Sequence, residues 1–207
     1  MPNQDLLNCA MQAAEAGAAQ LTAKFRGALT INTKSSEADY VTDADLASET
    51  AVRAVIKNLR PSDAISGEEF ETHHGERAEY RWSIDPLDGT VNFARGLDHF
   101  AVSVAAQHIE SGDWVVGVVI APSIGDQYVA VKGEGSWRVR DGVKTTLSGP
   151  PKEREAKILA TGFSYLASKR AEEFDTLVKL MPRFVDVRRF GSAALDICHV
   201  AEGTIDA

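Results

Sequence analysis

The chain has 207 residues, of which 44% are hydrophobic and 25% are charged, with a formal net charge of −8. The segment from Glu37 to Asp88 holds thirteen acids against five bases and accounts for the whole imbalance. Such an acidic region repels polyanions and attracts cations, so nucleic-acid binding is disfavoured. No apolar run reaches membrane-spanning length, the first residues show no secretory-signal pattern, and Cys9 and Cys198 are expected to be reduced thiols, so we expect a cytoplasmic protein.

The N-terminal part is predicted to be mainly helical from its periodicity and capping signals. Thr42 is suited to cap the second helix, Asp45 suits the positive end of its dipole, and Pro61 ends it. The predicted segments are a helix over 5–26, a strand over 29–33, a polar, mobile loop over 34–40 and a helix over 43–59. The buried stripe of the second helix is expected to comprise Ala51, Val52, Val55, Ile56 and Leu59.

Strand patterns rich in Val and aromatic residues follow and predict a large, mainly antiparallel sheet. Gly112-Asp113 and Asp141-Gly142 are sequences typical of hairpin turns. The predicted strands cover 64–66, 80–84, 100–109, 114–121, 127–132 and 136–140. Beyond them we expect a strand over 157–161, a helix over 168–181, a strand over 184–187 and a helix over 192–201. We therefore expect one compact unit with an α+β half over 1–150 and an α/β half over 151–207.

Acidic residues follow two of the predicted strands. Asp85 and Asp88 end one strand and are separated by Pro86, which tightens the turn, and Glu68 follows the neighbouring strand. These carboxylates and the Leu87 carbonyl are oxygen ligands of the kind that Mg²⁺ prefers. Each acid alone is more often a turn, a strand end or a solvated charge, but their order predicts a two-metal hydrolase, in which one ion activates water and the other stabilises the leaving oxygen.

The residues after the acids are suited to phosphate. Gly89 allows the backbone to approach a ligand, and a helix beginning near Thr90 has free N–H groups that can hold a phosphate. A rival interpretation comes from haloacid-dehalogenase-type phosphatases, in which a second Asp follows the nucleophilic Asp by two residues. Here the separation is three with a proline between, which favours metal-bound water over a covalent intermediate.

Four segments in this order resemble the inositol monophosphatase family. The resemblance implies a layered αβαβα sugar-phosphatase-type sandwich (α+β / α/β), Mg²⁺-dependent phosphomonoester hydrolysis, sensitivity to Li⁺ and a homodimer. The family pattern continues beyond Ala207 to a further metal-ligand Asp, so we expect a chain that lacks its last C-terminal elements. The four segments are 39–45 (DYVTDAD), 67–69 (GEE), 82–93 (WSIDPLDGTVNF) and 188–194 (RRFGSAA), which runs on through Asp196 and the terminal GTIDA.

The resemblance also implies roles for individual residues. Glu68, Asp85 and the Leu87 carbonyl would hold the first Mg²⁺, Asp85 and Asp88 would share the second, and a third, weaker ion is possible. The catalytic residues implied are Glu68 and Thr90, which orient the attacking water, and Asp45, which with Glu69 lies behind the metal ligands. Substrate contacts are expected from Asp88, from the amides of Gly89 and Thr90, and from Gly191, Ser192 and Ala193.

Several functions stay open at this point. The default is hydrolysis of an inositol monophosphate, and the alternatives within the family are histidinol phosphate or another sugar or nucleotide phosphate. A different class of function is a binding module without turnover, because the further metal-ligand Asp lies outside the sequence. Among the histidines, His73 and His74 are expected to be exposed, and His99 is expected to be a packing residue.

Overall fold

The computed structural model describes residues 2–33 and 40–207. The loop predicted over 34–40 lies outside this range except for its last residue, and so does Asp39 of the first family segment. The helices are α1 (Pro2–Lys24), α2 (Asp43–Leu59), α3 (Thr90–Ala94), α4 (Ala167–Leu180) and α5 (Ala193–Glu202). The strands are β1 (Ile31–Thr33), β2 (Tyr40–Thr42), β3 (Ala64–Ser66), β4 (Tyr80–Asp88), β5 (Ala101–His108), β6 (Trp114–Ala121), β7 (Asp126–Val131), β8 (Gly135–Arg140), β9 (Val143–Thr146), β10 (Ile158–Ala160) and β11 (Asp186–Arg188).

The largest sheet has seven strands in the order β3 to β9. Only β3 and β4 run parallel, and every other neighbouring pair in this sheet is antiparallel. The predicted large, mainly antiparallel sheet is therefore confirmed. Asp141 and Gly142 both have positive φ angles, as the hairpin turn between β8 and β9 requires.

Helices cover both faces of this sheet. The main hydrophobic core lies between the sheet and the helices α1 and α2, with Leu21, Trp82 and Val102 among its fully buried side chains. A second cluster on the other face joins α5 to β5–β7 through Leu195, Cys198 and Tyr128. The parallel pair β10–β11 forms a separate sheet, so helix and sheet layers alternate as expected.

Four details differ from the sequence-based expectations. Leu59 was expected to be buried but is 41% exposed, because the buried face of α2 includes Glu49 and Arg53 instead. Strand β4 continues through an irregular register to Asp88, well beyond residue 84. Strand β9 was not predicted, since its four residues are all exposed and carry no apolar alternation. The strand predicted over 29–33 is shorter and covers Ile31–Thr33.

Both cysteines are buried and unpaired, as expected. Burial raises the pKa of Cys9 to about 11 and that of Cys198 to about 12, so both thiols stay protonated near neutral pH. Within the described residues, no helix combines the length and apolarity that crossing a membrane requires. The division at residue 150 stays a prediction.

Candidate active site

Glu68 and Asp85 are brought together by the one parallel strand pair in the large sheet. Ser66 of β3 pairs with Ser83 of β4, so Glu68 and Asp85 each lie two residues beyond a paired position. Parallel strands end at the same edge of a sheet, which places both carboxyl groups at that edge. They line a common cleft of about 370 Å³, together with Ser103 from β5.

A bulge at the end of β4 shapes the segment between Asp85 and Asp88. The register with β5 shifts between these two residues, as expected where a proline interrupts the ladder. The Leu87 amide donates to Asp85 Oδ1 at 3.2 Å, which closes a tight side-chain turn. The Pro86 carbonyl accepts a hydrogen bond of 2.8 Å from Ser48 Oγ of α2, so the bulge is anchored to that helix.

The electrostatics of Asp85 indicate that the other predicted acids lie near it. Its pKa is raised from 3.8 to about 8, first by burial and then by the negative charges of Glu68, Asp88 and Asp45. The hydrogen bond from the Leu87 amide opposes this rise. The carboxylates raise the pKa of Asp85 because their negative charges repel one another, and a bound cation would relieve this repulsion.

Thr90 and Asp45 meet beside this bulge. Thr90 Oγ1 lies 3.2 Å from Asp45 Oδ1 and 2.9 Å from the Leu87 carbonyl oxygen. Asp45 Oδ2 accepts hydrogen bonds from the amide and the hydroxyl of Thr42 in a capping box at the start of α2. The cap therefore holds Asp45 in place, and Asp45 in turn orients Thr90. Burial raises the pKa of Asp45, which is almost fully enclosed.

Asp88 is held by the N-terminus of α5. Its Oδ2 accepts hydrogen bonds from Ser192 Oγ at 2.6 Å and from the Ala194 amide at 2.7 Å. Both described hydrogen bonds use Oδ2, so Oδ1 is the oxygen that can serve a ligand. Ser192 is fully buried, whereas Ala193 is exposed and Gly191 is half-buried. The predicted substrate contacts of Gly191, Ser192 and Ala193 stay predictions.

Comparison with known proteins decides the family. A model of the inositol monophosphatase family matches residues 2–207. The chain belongs to this family. It is 40% identical over 179 residues to Nus factor SuhB from Pasteurella multocida, covering 84% of this chain and 64% of that protein. It is 38% identical over 182 residues to inositol-1-monophosphatase from Mycobacterium leprae, covering 86% and 62%.

The fold is that of solved family members. The crystal structure of extragenic suppressor protein suhB from Bartonella henselae matches with a TM-score of 0.87 and 31% identity, over 97% of this chain and 76% of that one. The chain spans less than two thirds of the length of the two curated relatives named above. What the whole protein does is therefore a matter for proposal.

A buried ion pair that the sequence analysis did not predict holds the loop of Gly67, Glu68 and Glu69, which we call the glutamate loop. Glu49 is fully buried, and its Oε2 accepts the amides of Glu68 and Glu69 at 3.0 and 2.7 Å. Arg53 Nε donates to Glu49 Oε1 at 2.6 Å, and the Arg53 guanidinium also donates to the Phe70 and Glu71 carbonyls. The available signal was a Glu and an Arg four residues apart on the apolar side of a predicted helix.

Glycines let two loops approach this site closely. A Cβ atom at Gly67 would collide with the Glu49 carboxylate that anchors the loop. Gly89 has φ of +91°, and a Cβ there would lie 2.9 Å from the His99 carbonyl oxygen. Asn92 completes this contact, because its Nδ2 donates to the carbonyls of His99 and Phe190. Gly89 therefore lets this loop pack closely against the His99 backbone, and its approach to a ligand stays a prediction.

Proposed function

We propose that the chain is a metal-dependent phosphomonoesterase that uses Mg²⁺ to hydrolyse a small phosphorylated metabolite. The observation that supports this proposal best is the convergence of Glu68, Asp85 and Asp88 at one sheet edge, where their charges and burial raise the pKa of Asp85 to about 8. Asp85 and Asp88 are half-buried and Glu68 is exposed, and the repulsion among their negative charges would be relieved by a bound cation. Membership of the inositol monophosphatase family supports the same reaction.

The oxygen donors fit a hard divalent cation. Glu68, Asp85 and the Leu87 carbonyl would hold the first ion, and Asp85 with Asp88 would hold the second. The Leu87 carbonyl already accepts the Thr90 hydroxyl, and its second lone pair leaves it able to bind an ion. When bound, two or three Mg²⁺ ions would supply positive charge for the phosphate and for the water that attacks it.

The protein groups around these ligands would position the reactants. The Thr90 hydroxyl, held by Asp45, would form a hydrogen bond with the attacking water, and Glu68 would lie on the other side of that water. The amides of Gly89 and Thr90 at the start of α3 would bind the phosphate oxygens. Glu69, whose amide is fixed by Glu49, would lie behind these ligands.

For the substrate we propose an inositol monophosphate or a similar phosphorylated polyol. The Mycobacterium leprae relative is named inositol-1-monophosphatase, and 86% of this chain aligns with it. Histidinol phosphate and other sugar or nucleotide phosphates are the competing substrates. Inhibition by Li⁺, a homodimeric state and a cytoplasmic location belong to the same proposal.

A second candidate function is binding to a macromolecular partner without turnover. The Pasteurella multocida relative carries the name Nus factor SuhB rather than the name of an enzyme. The two functions differ in one measurable property, since only the first predicts phosphate release that depends on Mg²⁺.

The decisive experiment measures Mg²⁺-dependent release of phosphate from inositol 1-phosphate by the wild type and by Asp88→Asn. The asparagine can keep the hydrogen bonds to Ser192 and Ala194 through its single carbonyl oxygen. It removes the charge that a second ion needs, so we expect at least about a 100-fold loss of kcat. Circular dichroism should show an unchanged fold.

Asp175→Asn is the matched control, because Asp175 is an exposed acid on α4. Its activity should equal that of the wild type. Equal rates for wild type and Asp88→Asn would refute the assignment of Asp88. Absence of Mg²⁺-dependent release from a panel of polyol, histidinol and nucleotide phosphates would favour the partner-binding function.

A further inference from the structure

A second group of metal-ligating side chains lies on the other face of the large sheet from α1 and α2. It consists of His99, in the loop before β5, and of Asp196 and His199 on α5. One ligand atom from each of the three lies within 4.8 Å of the other two. Asp196 and His199 are three residues apart and therefore lie on the same side of the helix, facing His99.

Two of these ligand atoms have no hydrogen-bond partner in the described part of the chain. His99 Nε2 and Asp196 Oδ1 are both buried from solvent and unsatisfied. They lie 3.8 Å apart, which is too long for a hydrogen bond. Buried polar atoms of this kind normally have partners, and a bound ion would supply one to both atoms.

The separation of these two atoms suits a shared metal ion. With bonds of about 2.0–2.1 Å, a tetrahedral ion holds two ligand atoms roughly 3.4 Å apart. A small rotation of either side chain would shorten the 3.8 Å separation between His99 Nε2 and Asp196 Oδ1 to that distance. The His99 carbonyl accepts the Asn92 side chain, so the backbone that carries this imidazole is already fixed.

Aromatic rings pack closely around the proposed ligands. The two imidazole rings are 5.6 Å apart. The Phe190 ring lies 5.0 Å from the His99 ring and 5.8 Å from the His199 ring, and forms an apolar wall.

We propose that His99, Asp196 and His199 form a binding site for a divalent transition metal such as Zn²⁺. Two imidazoles and one carboxylate are typical of zinc and its neighbours in the first transition row, whereas Mg²⁺ selects oxygen ligands. This site is separate from the carboxylate cluster around Asp85. Three protein ligands leave one coordination position for water or another small ligand.

Binding there would connect two segments that contact Asp88 and Gly89 of the proposed active site. Helix α5 begins with the Ser192 and Ala194 groups that hold Asp88. The loop that carries His99 contacts Gly89 through its backbone. An ion between Asp196, His199 and His99 would therefore tie α5 to this loop, and it should raise the melting temperature.

The test is titration of the complete 207-residue chain with Co²⁺, as a spectroscopic substitute for Zn²⁺, in a large excess of Mg²⁺ that occupies oxygen-only sites. Visible d–d absorption reports imidazole coordination, and metal analysis after dialysis against Zn²⁺ gives the stoichiometry. We expect one equivalent bound by the wild type. His199→Gln and His99→Gln should each weaken binding at least about tenfold.

The double variant His73→Gln/His74→Gln is the matched control, since both residues are exposed histidines distant from α5. It should bind as the wild type does. Circular dichroism checks each fold, and Asp196→Asn replaces any histidine variant that fails to fold. Unchanged binding in the site variants, loss of binding in the control, or no binding by the wild type would each overturn the proposal.

Failure of this proposal would leave the phosphatase proposal intact. The phosphatase experiment depends on Asp88 and Mg²⁺, whereas the cobalt titration depends on histidines and is made with Mg²⁺ present. If all site variants bind Co²⁺ as the wild type does, then His99 and Asp196 form only a long ion pair.

Discussion

Helices α2 and α4 were both predicted from the sequence, yet they lie in different environments. Helix α2 buries seven residues, and four of these are polar or charged: Asp45, Ser48, Glu49 and Arg53. Helix α4 buries none, and its apolar Phe174 and Val178 are 51% and 69% exposed. The prediction of a helix therefore does not show what the helix packs against.

The difference shows which of the two helices holds the candidate site in place. Every buried polar group of α2 contacts the loops that carry the acids: Ser48 anchors the bulge, Glu49 anchors the glutamate loop and Asp45 orients Thr90. Helix α4 makes no hydrogen bond to these loops among the described contacts. Substitutions of the buried polar residues of α2 should therefore affect stability and metal binding together, whereas substitutions of exposed residues on α4 should affect neither.

The largest effect is expected from Arg53→Ala. It would leave the fully buried Glu49 carboxylate without its cation, and breaking such a pair costs about 3–5 kcal/mol of unfolding free energy. Denaturant unfolding measures the loss, and Mg²⁺-induced stabilisation should weaken because the glutamate loop is released. Lys57→Ala, which changes an exposed cation one turn further along the same helix, is the control. A loss below about 1 kcal/mol for Arg53→Ala would contradict this role.

The second effect is a pH dependence set by Asp85. Its folded-state pKa of about 8 lies above the ordinary 3.8, so the metal-free protein should lose stability as pH rises between these values. Mg²⁺ must displace the proton, so its affinity should rise about tenfold per pH unit up to pH 8 and then level off. Near pH 7, Mg²⁺ should release close to one proton.

Asp85→Asn checks the origin of that proton. The variant should release none on addition of Mg²⁺, and without Mg²⁺ it should gain stability over the wild type as pH rises. A wild-type affinity that is flat between pH 6 and 8 would mean that Asp85 is already ionised there.

A smaller effect is expected at the start of α2. Thr42→Ala removes the side chain that accepts the Ala44 amide and donates to Asp45, and loss of such a cap costs about 1 kcal/mol. Thr50→Ala is the control, since Thr50 is exposed and its hydroxyl contacts only the preceding turn of the same helix. Thermal unfolding of both variants measures the difference. Equal melting temperatures for Thr42→Ala and Thr50→Ala would show that the cap does not contribute to stability.

The smallest effect is expected on α4. Val178→Ser changes an exposed residue and should alter the unfolding free energy by less than about 0.5 kcal/mol. The measurement should be repeated at high and low protein concentration. A loss above 1 kcal/mol that grows with concentration would show that a second copy of the chain covers this face, and would support the proposed homodimer.

Regular elements and the acids of the proposed metal site were largely predictable, because their signals are local. Helix α2 has the predicted bounds, Thr42 caps it, and Asp85 lies in β4, directly after the stretch that was predicted as a strand. Strand β9 was missed, since it pairs with β8 through its backbone while its side chains are all exposed. The predicted burial of Leu59 was wrong, because periodicity alone does not show which side of the last helical turn packs against other elements.

The sequence by itself determined the family, the order of the elements and the acids at 68, 85 and 88, because short motifs encode local geometry and chemistry. Only the tertiary structure decided which distant groups meet. The hydrogen bonds from the Glu68 and Glu69 amides to Glu49, the hydrogen bond from Ser192 to Asp88, and the contact of His99 with helix α5 all join residues from separate elements. Such contacts depend on how the sheet and helices pack, and no spacing along the chain encodes them.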